Sequence, residues 1–355
     1  MHIIAHIFFP FNDRKGIFFR TILSISQKYH DLVEYHLIIP KTYNLDNIKK
    51  YHNYDFLKIH QVSNYINITN LINPNSIILS VSPRNDFINH LLANIKCKNI
   101  YYIQHGFFVP SYTYNLITWS NKINYIMCDQ KQQVYLPTSI LHKSFKVSGL
   151  PQIDMLMNNI DNIKKKRPFY EKLWGIDGKH KTIILIIGGN APAYTGSAST
   201  YLSIMKIAKQ VFNDPFFIIK LKYTPIPGLN TDHSKNIHIL YGHDFIYDYQ
   251  FADINIVQEG STTFFESLMI NYNTILYQNE NKQGHFNYHI PNNSSLMVSK
   301  TNEQLLDYLK NIKYDKLDTD QIIVDKLDLF HNFIGPDFDV HQKVSDTIID
   351  RFLST

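Results

Sequence analysis

The sequence predicts an α/β protein built from two Rossmann-like domains in succession. Three observations lead there. The chain has 355 residues, more than the roughly 100–200 of a single domain. Short apolar runs alternate with amphipathic stretches, the pattern of a parallel sheet covered by helices on both faces. That alternation stops in a polar stretch over residues 158–178 and then starts again.

Taken in order, residues 3–9 read as a buried first strand, because neither a basic leader nor a small-residue cleavage site accompanies them. The polar turn Asn12-Asp13-Arg14-Lys15-Gly16 leads into a helical pattern over 17–29. Strands follow at 33–39 and 76–81, a helix at 85–95, and a strand at 99–103 that ends in Gln104-His105-Gly106. Two more strands lie at 125–128 and 145–147. The stretch 158–178 carries Lys164-Lys165-Lys166-Arg167 and Pro168 and closes on Gly175-Ile176-Asp177-Gly178, which makes it the candidate domain junction, helical in part. Beyond it come strands at 182–187, 216–223, 237–240, 253–257 and 274–277. Helices are expected at 199–212, 243–251 and 262–270. Val340, Val344, Ile348 and Phe352 fall on one face of a final helix. No tandem repeat or low-complexity tract interrupts the pattern.

Composition narrows the class. Hydrophobic residues are 44% of the chain and charged residues 18%, enough apolar material for two cores and too much for a disordered chain. The net charge of +5 is mild, and one basic tetrapeptide is no nucleic-acid face, so no nucleic-acid partner is expected. Cys97 and Cys128 form neither a disulfide framework nor a metal spacing, which suits a reducing, cytoplasmic compartment. No apolar run reaches about 18 residues, so any membrane association is peripheral.

The stretch from Ala252 to Glu266 carries the strongest chemical signal. A buried strand stops at Val257, Gln258 and Glu259 follow, Gly260 permits a tight turn, and Ser261, Thr262 and Thr263 bring hydroxyls to a helix start. Free backbone N–H groups and the positive end of the helix dipole make such a junction an anion site suited to a diphosphate. Glu266, one turn inside, is placed to accept from ribose hydroxyls. The competing reading is a plain helix cap by Ser261 or Thr262.

This stretch resembles the donor-nucleotide segment of GT-B glycosyltransferases, and more narrowly the CDP-glycerol glycerophosphotransferase and capsule-polysaccharide transferase group, which carries an Ala-Asp-x-x-Ile…Ser-(Ser/Thr)-x-x-x-Glu pattern here. Three further stretches are similar to that group. Gln104-His105-Gly106 matches its His-Gly turn, Val147-Ser148-Gly149-Leu150-Pro151-Gln152-Ile153-Asp154 its Gly-x-Pro-x-x-Asp segment, and Phe333-Ile334-Gly335 through Ile349 its ending. Residues 1–99 fit by pattern alone. One departure stands out: where the group has Lys-x-His-Pro, this chain has Lys222-Tyr223-Thr224-Pro225. Lys220 and Lys222 share one face of their strand and are the cations available to replace that histidine.

The resemblance implies an acceptor-binding domain over residues 1–165, a nucleotide-donor domain over 166–336, and a helix over 337–355 crossing back to the first domain, with a cleft between the halves. His105, at the carboxyl end of its strand where open parallel sheets bind ligands, is the candidate general base. Gly188, Gly189, Asn190, Lys220, Lys222, Glu259, Gly260, Ser261, Thr262, Thr263 and Glu266 are the candidate donor contacts. Arg14, Lys15 and Gln104 are candidates on the acceptor or phosphate side. Gly188-Gly189-Asn190 fits neither a dinucleotide fingerprint nor a P-loop.

No cofactor and no metal are assigned, since Asp318-Thr319-Asp320, Asp337-Phe338-Asp339 and the pair His285 and His289 lack the setting of a metal site. The function expected is metal-independent transfer of a sugar from a nucleotide-activated donor to a glycan or other hydroxyl acceptor, in surface-glycan synthesis. The alternatives are a CDP-alcohol-dependent polyol-phosphate transferase, a UDP-sugar 2-epimerase and a non-catalytic glycan-binding protein.

Overall fold

The structure is a computed structural model, and it describes residues 5–10, 33–41, 57–63, 66–80, 99–103, 123–127, 145–147, 160–176, 181–188, 198–221, 229, 236–240, 249–258, 263–278, 290 and 294–333. The chain divides into two compact units, Met1–Asp154 with Phe333–Thr355, and Met155–Asn332. The expected helix over 337–355 lies outside the described residues.

Seven strands make one sheet in the first unit. They are β1 (Ala5–Pro10), β2 (Val33–Pro40), β3 (Leu57–Val62), β4 (Ser76–Ser80), β5 (Asn99–Ile103), β6 (Ile123–Met127) and β7 (Phe145–Val147), with a one-turn helix α1 (Ile66–Thr69) before β4. Every pairing is parallel, in the order β3-β2-β1-β4-β5-β6-β7. Ile7, Phe8 and Phe9 of β1, Leu37 and Ile39 of β2, Ile77 to Leu79 of β4 and the whole of β5 are buried. Continuous apolar strands are what burial on both faces demands, and that is why β1, β2, β4 and β5 were legible as strands.

β3 was not anticipated. It is an edge strand, with Lys58, Ile59 and Gln61 exposed, so its apolar signal is diluted by residues facing water. Polar side chains also enter the sheet at His6 of β1 and at Glu34 and His36 of β2. His36 is 6% exposed, and burial pushes its pKa down to about 4.

The second unit opens with two helices, α2 (Ile160–Lys165) and α3 (Arg167–Trp174). Pro168 sits in the first turn of α3, and Gly175 ends the helix in a left-handed conformation, φ 63°, as a C-cap requires. The polar stretch read as a junction is therefore a helical pair. Its aromatic side anchors it: Tyr170 stacks on Phe251 at 5.3 Å and Trp174 on Phe216 at 5.6 Å between ring centroids.

Then follow β8 (Ile183–Ile187), α4 (Ala198–Val211), β9 (Phe216–Lys220), β10 (Ile237–Leu240), β11 (Ile254–Gln258), α5 (Thr263–Ile270), β12 (Thr274–Tyr277), β13 (Val298–Ser299), α6 (Asn302–Lys313) and α7 (Thr319–Phe333). The strands form a second parallel sheet, ordered β10-β9-β8-β11-β12-β13. Ile184, Ile186, Phe217, Ile219, Ile254 and Ile256 line the face that packs on Tyr201, Ile204 and Ala208 of α4 and on Leu305 and Leu309 of α6.

Neither α6 nor α7 was read from the sequence, although α6 carries a local start signal. Thr301 accepts from the Gln304 backbone N–H at 3.2 Å, and the Gln304 carboxamide accepts from the Lys300 N–H at 2.7 Å, a variant of the capping box. α7 starts the same way, with Asp318 accepting from the Gln321 N–H at 3.0 Å. The tripeptide Asp318-Thr319-Asp320 is thus a helix start. Of the helix expected over 243–251, the described part is 3₁₀-helical at 249 and turn at 250–251. No helix of the described residues is long and apolar enough to cross a membrane.

Candidate functional site

The order of the second sheet places a topological switch between β8 and β11, the first strands to leave in opposite directions. Crevices outside the carboxyl ends of strands at such a switch are where doubly wound sheets bind ligands. Parallel register levels those ends. Ile187 of β8 lies beside Lys220 of β9 and Val257 of β11, and Gln258 lies beside Tyr277 of β12. The structure therefore brings Gly188, Lys220 and Gln258, the last residue of β11, to one edge of the sheet.

Gly188 is held in place by its N–H, which donates to the Lys220 carbonyl at 3.1 Å. A Cβ there would lie 2.2 Å from the Tyr201 hydroxyl. Tyr201 is fully buried on α4, so it cannot swing away, and only glycine lets the helix approach the strand end this closely. Burial pushes the Tyr201 phenol up to about 12, opposed in part by the Gln258 carboxamide beside it. Yet among the described residues neither the Tyr201 hydroxyl nor Gln258 Nε2 has a hydrogen-bond partner of normal geometry. Two unsatisfied buried polar groups thus flank the glycine, an uncommon arrangement for buried polar atoms.

Lys220, 7% exposed, is buried at the end of β9. α5 begins at Thr263, and Glu266 lies in its first turn, 1% exposed. Behind the switch a chain of buried amides fixes β11 to α5. Asn255 donates to Gln250 at 2.8 Å, and Gln250 donates to Ser267 at 2.9 Å. Asn255 Oδ1 has no partner among the described residues.

Asp253, part of the Ala-Asp motif, has a different task from the rest of its segment. At the amino-terminal side of β11 its carboxylate accepts from Arg167 at 2.5 and 3.2 Å and from the Ile183 backbone N–H at 2.8 Å. Asn271 and Asn273 hold the same corner through the Asp253 carbonyl, at 3.1 and 3.3 Å. This half of the motif ties α3 to β8 and β11, at the opposite end of β11 from Gln258.

Gly189, Asn190, Lys222, Glu259, Gly260, Ser261 and Thr262 lie outside the described residues, as do Arg14, Lys15, Gln104 and His105. β5 ends at Ile103, two residues before His105. Tyr201 and Gln258 were missed as site-lining residues. The signal available was a glutamine closing β11 and a tyrosine on the buried side of α4, the helix after β8.

No protein-family model matches the chain, and no curated protein matches it. Solved structures do. The wall teichoic acid polymerase TagF, soaked with CDPG, superposes with a TM-score of 0.64 at 11% identity, over 99% of this chain and 89% of that one. UDP-GlcNAc 2-epimerase from Neisseria meningitidis, bound to UDP-GlcNAc, gives 0.62 at 14% identity over 100% of both chains. A glycosyltransferase from Rickettsia africae gives 0.60 at 12% identity over 99% of both. Likeness at these identities is likeness of fold: the chain has a GT-B glycosyltransferase-like fold with an α/β, two-domain, Rossmann-like architecture.

Proposed function

We propose that the protein is a glycosyltransferase that takes a sugar from a nucleotide-activated donor, without a metal, and gives it to a hydroxyl of a glycan or small-molecule acceptor in the cytoplasm. The observation that carries this reading is the convergence of Gly188, Lys220 and the start of α5 at the switch point of the second sheet. A lysine and a helix start at a strand-end edge are what a nucleoside diphosphate needs from a protein: a cation and free N–H groups. In this reading the second unit binds the donor through Gly188-Gly189-Asn190, Lys220, Lys222 and the segment from Glu259 to Thr263, with Glu266 accepting from the ribose.

The chemistry then follows from charge. As the glycosidic bond to the donor breaks, negative charge grows on the diphosphate, and preorganised N–H groups and lysines stabilise it more than they stabilise the bound donor. His105, following β5 of the first unit, removes the acceptor proton, and Arg14, Lys15 and Gln104 orient the acceptor or its phosphate. The likeness to TagF supports polyol-phosphate transfer from a CDP-alcohol as the second reading, with CMP as the leaving group.

The test is a panel of radiolabelled UDP-, GDP- and CDP-sugars and CDP-alcohols, each incubated with the full chain with and without glycan acceptors. Label transferred from a nucleotide sugar to an acceptor is the expected result. Transfer from a CDP-alcohol with release of CMP selects the second reading. An isomerised sugar nucleotide formed without acceptor, or binding without any product, overturns both.

A further inference from the structure

The first sheet holds a cluster of side chains that the proposed transfer does not use. His6 on β1 and Glu34 and His36 on β2 are neighbours through parallel register, His6 opposite Glu34 and Phe8 opposite His36. Their alternation puts all three on one face of the sheet. His6 Nδ1 lies 3.0 Å from His36 Nε2 and 3.3 Å from Glu34 Oε2, and His36 Nε2 lies 3.4 Å from Glu34 Oε2. The cluster lies in the amino-terminal halves of β1 and β2, whereas ligands of such sheets bind at the carboxyl ends.

We infer that His6, Glu34 and His36 bind a divalent transition-metal ion, zinc by the nature of the donors, which clamps β1 to β2. The geometry carries this. Donors held about 2.0–2.1 Å from a tetrahedral zinc are about 3.3–3.4 Å apart, the spacing of these three atoms to within a few tenths of an ångström. An ion about 2 Å from each fits just off the plane of the three without moving the strands. The three atoms form one face of the tetrahedron, and water takes the fourth position. Two imidazoles and a carboxylate are a donor set zinc accepts, whereas magnesium and calcium prefer oxygen ligands.

The surroundings are also those of a metal ligand. His36 Nδ1 is 2.9 Å from His60 Nε2 of β3, so His36 can ligate through Nε2 while its other N–H donates to His60. That outer hydrogen bond fixes ring orientation and tautomer in metal-bound histidines. The rings are held further by packing, Phe8 stacking on His36 at 4.4 Å and His36 on His60 at 5.1 Å. One group opposes the ion: Lys58 Nζ is 2.7 Å from Glu34 Oε2. Its side chain is 56% exposed, so it swings into water at little cost when the metal takes the carboxylate.

No single segment of the sequence carries this donor set: His6 lies on β1 and Glu34 and His36 on β2, and only strand pairing brings them together. The inference does not depend on the donor site.

Purified full-length chain, stripped with a chelator and dialysed, is titrated with Zn2+ and Co2+ by calorimetry, with Mg2+ as a control. One equivalent of zinc per chain, a tetrahedral cobalt spectrum in the visible, and a zinc-dependent rise in Tm are expected. Glu34→Gln and His6→Ala, both at partly exposed positions, should each weaken zinc by at least about tenfold. His60→Gln should weaken it by about 10–100-fold, the usual effect of an outer-shell partner. Lys58→Ala should tighten it. Absence of stoichiometric zinc uptake by the parent overturns the inference. So does uptake that Glu34→Gln and His6→Ala, shown folded by their melting curves, leave unchanged.

Discussion

Arg167 grips Asp253 with both of its terminal nitrogens, at 2.5 and 3.2 Å, while the same carboxylate accepts the Ile183 backbone N–H at 2.8 Å. One side chain thereby joins α3, the second helix of the second unit, to two central strands of its sheet. The Ala-Asp half of the motif is architecture, and the Gly-Ser-Thr half is where ligand chemistry is proposed.

Asp253→Ala should accordingly destabilise the protein, by about 1–3 kcal/mol, because it strands the buried Ile183 N–H and the Arg167 guanidinium. Nucleotide affinity of the protein that remains folded should change little. Chemical denaturation and calorimetric nucleotide binding on one preparation separate the two effects. A variant with parent stability and weakened binding would place Asp253 in the ligand site instead.

Tyr201 and Gly188 form a second testable pair. Gly188→Ala drives a methyl group into the Tyr201 hydroxyl and should destabilise by about 1–3 kcal/mol, the range for overpacking. Tyr201→Phe removes a hydroxyl with no hydrogen-bond partner of normal geometry among the described residues and should be neutral or slightly stabilising. Combining the two should recover part of the loss, since the clash is with the oxygen that Phe lacks. Strict additivity in this double-mutant cycle would show that the two residues do not meet.

His238 should make the second unit acid-sensitive. It packs beside Trp174 at 4.6 Å between ring centroids, and burial lowers its pKa below the ordinary 6.5. A folded-state value below the unfolded one means the unfolded chain binds the proton more readily. The stability this residue contributes is therefore complete above about pH 6.5 and is lost as pH falls through the folded value. His238→Phe should flatten Tm against pH over that interval relative to the parent. Superimposable slopes for the two proteins would contradict the assignment.

At the proposed donor site, Gly260→Val should obstruct the phosphates and Glu266→Gln should weaken the ribose contact, each by about 1–3 kcal/mol of nucleotide affinity. If both variants are folded and bind as tightly as the parent, the donor lies elsewhere.

His105→Ala should lower turnover by about 10²–10⁴-fold, the share of general acid–base catalysis, with donor affinity nearly unchanged. His105→Asn should do no better, since it cannot take up a proton. The parent's pH–rate profile should fall toward acid as the imidazole protonates. Near-parent turnover in a folded His105→Ala protein would move the base, with Glu259 the next residue to test.

The sequence by itself determined most of the strands and the Rossmann-like class, because burial on both faces writes an apolar run into the strand itself. It also marked the β11–α5 junction, where a strand end, a glycine and hydroxyls follow one another along the chain. It did not disclose β3, whose edge position mixes polar residues into the pattern, nor α6 and α7, whose start signals are two or three residues long. Tertiary structure alone decided the strand order, and with it which strand ends share an edge. It set Tyr201 against Gly188, joined Arg167 to Asp253 across 86 residues, and brought His6 to His36 across 30. Periodicity records which face of an element is buried, but not which element it will lie beside. That is settled by parallel register, and register exists only once the sheet has formed.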